Sequence, residues 1–211
     1  MSAEEVLAQV AKEVSICQKC ALYHSRKQAV PGEGPADAEI MFIGEGPGFH
    51  ENEQGRPFVG AAGNFLNELL AEAGLKRSDV WIGNVVKCRP PNNRDPLPEE
   101  LAACNEYQER QITAINPEII ITLGRYSMGK FMAGAKISSV HGQMRRVGDR
   151  YVIPMFHPAA ALHQAALKPA ILKDFGQLPK LLEQARAAQV HATPVQAVEE
   201  PKEDPKQLNL F

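Results

Sequence analysis

The chain has 211 residues, 44% hydrophobic and 23% charged, with a formal net charge of −2. That is an ordinary globular composition, long enough for one good core and a tail. No apolar run reaches the roughly 18 residues of a membrane span, and the acidic, amphipathic N-terminus lacks signal-peptide character, so a cytoplasmic protein is expected. The segment 190–211 carries four acids against two lysines, which leaves the rest neutral by count and excludes nothing about nucleic acid, since basic residues can cluster.

In chain order, Val6, Leu7, Val10 and Val14 predict a helix over 3–14 that delivers the chain to Cys17 and Cys20. Residues 23–37 read as irregular, with His24, Arg26 and Lys27. Ile40, Met41, Phe42 and Ile43 read as a buried strand. Behind it comes a glycine-rich run, Gly44, Glu45, Gly46, Pro47 and Gly48, continuing through Glu51 to Gly55, Arg56, Pro57, Phe58, Val59 and Gly60. A helix starts at Ala61 and ends near Gly74. Strand, glycine loop and helix together make a pocket at the carboxyl edge of a sheet, where glycine lets backbone N–H groups approach a ligand.

Residues 80–86 read as a second strand, with Asn84 at its end and then Lys87, Cys88, Arg89, Pro90, Pro91, Asn92, Asn93 and Arg94. Pro98 suits the first turn of a helix that carries Cys104 and runs to about residue 115. Residues 118–124 are a third strand and 126–132 a helix. A less regular stretch, 137–150, carries His141, Arg145 and Arg146. Residues 151–156 are a fourth strand, ending at His157 and Pro158, and an amphipathic helix covers 169–187.

Strands and helices alternate four times. The expected fold is therefore α/β, a three-layer α/β/α sandwich around a central four-stranded parallel sheet. Ligands of such folds sit outside the carboxyl ends of the strands. Those ends carry the glycine loop, Asn84, Gly124 and His157, a set able to read the edge of a planar heterocycle such as a nucleobase.

Cys17, Cys20, Cys88 and Cys104 are the only cysteines. The first two are spaced Cys-x-x-Cys and fifteen residues separate the second two. In a cytosolic chain this argues for metal rather than disulfides. Zinc takes four thiolates at about 2.3 Å, and an iron–sulfur cluster takes the same ligands; spacing does not separate them.

Taken together, Cys17-x-x-Cys20, the 44–48 and 55–60 runs, Asn84 through Pro91, Cys104, and His157 with Pro158 resemble the family 4 uracil-DNA glycosylases, over roughly residues 5–185. The resemblance implies hydrolysis of the bond between uracil and deoxyribose in DNA, on a base taken out of the stack. It implies that Phe58 stacks on the base and that Asn84 accepts from N3–H and donates to O4. Glu51 would bar the thymine methyl, and His157 would donate to O2, assisted by the N–H groups of the loop from Gly44 to Gly48. The first-described uracil glycosylase family carries a water-orienting Asp where this chain has Gly46. Asn93 is the substitute implied, with Glu45 a second polar candidate. The four cysteines would hold a [4Fe-4S] cluster with a structural role. Lys87, Arg89, Arg94, Arg145 and Arg146 are candidates for phosphate contacts. No His lies between Arg89 and Pro98, so turnover is expected rather than the covalent capture seen in a related class. The alternative is a non-catalytic iron–sulfur DNA-binding or clamp-associated module of the same fold, against which Asn84, His157 and Phe58 weigh.

Residues 1–188 are expected to form the domain and 189–206 a disordered linker. Gln207, Leu208, Asn209, Leu210 and Phe211 look like the bacterial sliding-clamp-binding motif, so the tail would tether a monomeric enzyme to clamp-loaded DNA.

Overall fold

The computed structural model describes residues 1–190. Five strands form one sheet: β1 (Ile40–Gly44), β2 (Trp81–Asn84), β3 (Ile119–Leu123), β4 (Arg145–Val147) and β5 (Arg150–Met155). Among the described residues eight α-helices accompany them: α1 (Ala3–Ile16), α2 (Phe49–Gln54), α3 (Ala61–Glu72), α4 (Pro98–Ile115), α5 (Arg125–Phe131), α6 (Ile137–Val140), α7 (Pro158–His163) and α8 (Lys168–Val190). The strand order is β2-β1-β3-β5-β4. β2, β1, β3 and β5 run parallel, as expected, and β4 pairs antiparallel with β5 at the edge.

The sheet is covered on both faces because its strands are apolar throughout. On one face Ile40, Phe42, Ile119, Ile121, Ile153 and Met155 meet Leu66 and Leu69 of α3 and Phe175 and Leu178 of α8. On the other, Met41, Ile43, Ile120 and Val152 meet Leu7 of α1 and Ile112 and Ile115 of α4. The two sets alternate along each strand, as a pleated strand requires. Each fully buried side chain of this size contributes about 1.5–3 kcal/mol. With β2 and β3 on opposite sides of β1, the chain switches direction there, and the crevice at that switch point is where the pocket opens.

Three elements differ from the sequence expectation. The fifth strand, β4, has only three residues, two of them arginine. It exists because Gly148 (φ +60°) turns the chain back onto β5. Within the glycine run, α2 forms where a loop is expected: Glu51 reaches back to the Gly48 N–H at 3.1 Å and Gly55 ends the helix at φ +69°. α8 extends to Val190, into the segment read as linker; the rest of that segment and the terminal peptide with Gln207, Leu208, Leu210 and Phe211 lie outside the described residues. Among the described residues no helix is long and apolar enough to cross a membrane.

Candidate active site

A cavity of about 260 Å³ opens at the carboxyl ends of β1, β2 and β5. Drug-sized sites run about 300–1,000 Å³, so this one suits a single-ring ligand. Glu45, Gly46, Pro47, Gly48, Glu51 and Phe58 line it from the glycine run. Asn84, Asn93 and His157 line it from the other loops. Gly44 lies beneath: a Cβ there would strike Asn84 Oδ1 and stand 2.6 Å from Phe58 Cζ. Gly44→Ala is therefore expected to displace both side chains and lower activity at least about tenfold, since a 1 Å misplacement is worth up to about 10² in rate. Single-turnover kinetics check this.

Asn84 ends β2, whose path continues as Val85 and Val86 donate to the carbonyls of Gly44 and Glu45 at 3.0 and 3.2 Å. The side chain is 1% exposed and its Oδ1 has no hydrogen-bond partner. A buried, unsatisfied amide oxygen beside a cavity is an acceptor held ready for a ligand N–H.

His157 caps α7: its Nδ1 accepts from the Ala159 N–H at 3.1 Å. That bond fixes the neutral tautomer with its proton on Nε2, leaving a donor for the pocket. Burial pushes its pKa down to about 4, against a smaller upward pull from Glu51. The His157 and Phe58 rings lie 5.5 Å apart at 25°, too close for a third ring to enter between them at about 3.5 Å per face. A planar ligand on Phe58 thus meets His157 by its edge. Phe58 has φ +50°. Its carbonyl and that of Pro57 are held by Arg77 at 3.2 and 2.6 Å, so this uncommon backbone conformation is imposed by its surroundings.

Glu51 is fixed by accepting from three backbone N–H groups, those of Gly48, Val59 and Gly60, at 3.1, 2.8 and 2.9 Å. Burial raises the Glu45 pKa, an effect opposed by the Tyr126 N–H and by Arg125. A Cβ at Gly46 would stand 2.8 Å from Val86 Cγ2, so the packing itself disfavours a side chain at that position. Asn93, at φ +54°, accepts from Arg89 Nε at 2.7 Å, and the Arg89 guanidinium lies over the exposed Phe49 ring at 5.3 Å.

Sequence reasoning missed Asp95 and His163, which also line the cavity. It also missed Leu162, half exposed on α7 between His157 and His163. Asp95 pairs with Arg125. The signal for Leu162 was available: an apolar residue at the fifth position of a short helix that begins at Pro158.

One phosphate-contact reading, Lys87, is corrected. Lys87 is 1% exposed and its Nζ donates inward to the Asn84 carbonyl, Gln108 and Gln111; it cannot reach a phosphate. Burial lowers its pKa to about 8. Arg94 lines the cavity with its side chain partly exposed; both its Nη atoms donate to Glu100 at 2.9 and 2.7 Å, and Glu100 in turn accepts from the Leu97 N–H, so this arginine also clasps the 90–97 loop to α4. Arg145 and Arg146 are exposed on β4 and lie outside the pocket lining.

Cys17, Cys20, Cys88 and Cys104 line a second, small cavity between the end of α1, the segment after β2, and α4. The Lys19 N–H points at Cys17 Sγ at 3.5 Å and Arg26 Nη1 at Cys88 Sγ at 3.4 Å. As free thiols three of them are pushed up by burial, Cys104 to about 11. Among the described residues, no three His, Cys, Asp or Glu side chains gather closely enough to hold a single ion.

The family described as the uracil DNA glycosylase superfamily matches residues 31–177. A type-4 uracil-DNA glycosylase of Saccharolobus solfataricus is 48% identical over 186 residues, 82% of this chain and 85% of that protein. One of Thermotoga maritima is 47% identical, covering 81% and 92%, and one of Archaeoglobus fulgidus is 44% identical, covering 84% and 94%.

Proposed function

The chain belongs to the uracil-DNA glycosylase superfamily, and on that footing we propose that it excises uracil from DNA by hydrolysing the bond between base and deoxyribose, leaving an abasic site. The observation that carries this reading is Asn84, whose buried, partnerless oxygen is satisfied by the N3–H of uracil. Cytosine presents a lone pair at N3 and is repelled by the same oxygen. The amide nitrogen of Asn84 donates to O4, Phe58 offers its face, and Glu51, anchored by three N–H groups, stands against the 5-methyl of thymine.

The target nucleotide leaves the stack before it is bound. The exposed Leu162 fits an apolar wedge for the step it vacates. As the C1′–N1 bond breaks, its electron pair moves onto the base, and His157 donates Nε2–H to O2 where the charge develops, with the N–H groups of the 44–48 loop assisting. Water held by Asn93, with Glu45 nearby, adds to C1′ and passes its proton to solvent, from which the departing uracilate takes up a proton at N1. Because the packing disfavours a side chain at Gly46, the acceleration rests on stabilising the leaving base more than on a carboxylate base. Arg89, Arg145 and Arg146 contact phosphates. The test is release from matched oligonucleotides containing uracil, thymine or cytosine: uracil alone is expected to be freed, and release of cytosine at a comparable rate would sink the role given to Asn84.

The same reading gives the four cysteines a [4Fe-4S] cluster. All four line one cavity and two sulfurs receive N–H donors, which supports a single shared centre. When bound, it supplies a rigid cross-link among α1, the segment after β2, and α4. Cys104→Ser is expected to lose iron and to lower Tm by about 10 °C or more, as read by metal analysis and thermal melting.

The enzyme acts in this proposal as a cytoplasmic monomer, tethered to the sliding clamp by Gln207, Leu208, Leu210 and Phe211. Deleting 207–211 should abolish clamp binding and leave activity on short oligonucleotides intact; loss of both would instead favour a terminus packed on the domain.

A further inference from the structure

Asn84 reads the base in the proposal above, yet no hydrogen bond within the protein holds its Oδ1. Its pose therefore depends on packing and on its backbone. The backbone carbonyl of Asn84 accepts from Lys87 Nζ at 2.9 Å. The same ammonium donates to Gln111 Oε1 at 2.7 Å and Gln108 Oε1 at 3.1 Å, both on α4. Lys87, Gln108 and Gln111 are each 1% exposed. All three acceptors are neutral, and a buried charge without a formal counter-charge is costly to keep. An apolar side chain with apolar neighbours would fill the space without that cost.

We propose that Lys87 is a positioning residue: its three hydrogen bonds pin the end of β2 to α4 and so hold Asn84 in its base-reading pose. This rests on the reading of the pocket as a uracil site. The arrangement also explains two glutamines facing inward on a helix otherwise packed through Cys104, Tyr107 and Ile112.

The test is a double-mutant cycle on the full, metal-loaded chain. Lys87→Met is expected to slow single-turnover uracil release by about 10–10²-fold, with DNA affinity unchanged. In an Asn84→Ala background the same substitution should slow it by no more than about twofold, because residues acting through one another are non-additive. Gln108→Met, which removes one acceptor of the ammonium, should show the same pattern at smaller size, and it decides the matter if Lys87→Met does not fold. Equal losses in both backgrounds, or a wild-type rate for both variants, would overturn the proposal. Absence of uracil release by the wild type would instead overturn the reading of the pocket and is seen before any variant is made.

Discussion

His157→Ala lowers the single-turnover rate of uracil release by about 10²–10³-fold, the usual value of one preorganised donor aimed at developing negative charge, while leaving affinity for the DNA nearly unchanged. The expectation follows from the proton's location. Nδ1 is occupied by the Ala159 N–H at 3.1 Å, so the proton sits on Nε2 in the neutral ring. The pKa of about 4, set mainly by burial, makes that neutral donor the working form. With respect to this group the rate is flat from neutral pH downward and changes only as pH approaches about 4. Stability follows the opposite bookkeeping of protons. Between about 6.5, the ordinary value, and about 4, the unfolded chain protonates this imidazole and the folded chain does not, so folding stability falls as pH falls through that window and is unaffected above it. The alanine variant lacks this contribution, and its Tm should decline less steeply between pH 6.5 and 4. Rate–pH profiles and thermal melts of both proteins check the two statements.

Asn84→Ala is the second large effect. Two hydrogen bonds to the base are lost, at about 1–2 kcal/mol each, and the expected fall in single-turnover rate is about 10²-fold. A substrate change probes the same contact without touching the fold. An oligonucleotide carrying 3-methyluracil has no N3–H to offer, and a site built around such a group rejects the analogue lacking it by about 10⁴-fold or more. The wild type should show that discrimination and Asn84→Ala should lose most of it. If both proteins discriminate equally, Asn84 does not read N3.

Much of this site is legible in the amino-acid sequence. The parallel strands are short apolar runs, and Glu45, Asn84 and His157, at or just beyond the ends of β1, β2 and β5, line the pocket because a parallel sheet gathers its carboxyl ends at one edge. Lys87 is not legible in the same way. A lysine beside Cys88 and Arg89 reads as surface charge, and only the placement of Gln108 and Gln111 opposite it turns it inward. A signal exists in their spacing, since residues 104, 107, 108 and 111 fall on one helix face and the first two are buried side chains. The helix α2 hides behind its flanking glycines, although Glu51, three residues after Gly48, is a capping signature. β4 carries no apolar alternation at all, and its pairing is fixed by the turn at Gly148.

The most direct test of the central claim is base release from a single-uracil oligonucleotide by the purified, metal-loaded chain in single turnover. Free uracil and an abasic strand in equal amounts are the predicted result. A protein that binds the same DNA and releases no base would contradict it, and would make the chain a binding module that retains the glycosylase fold.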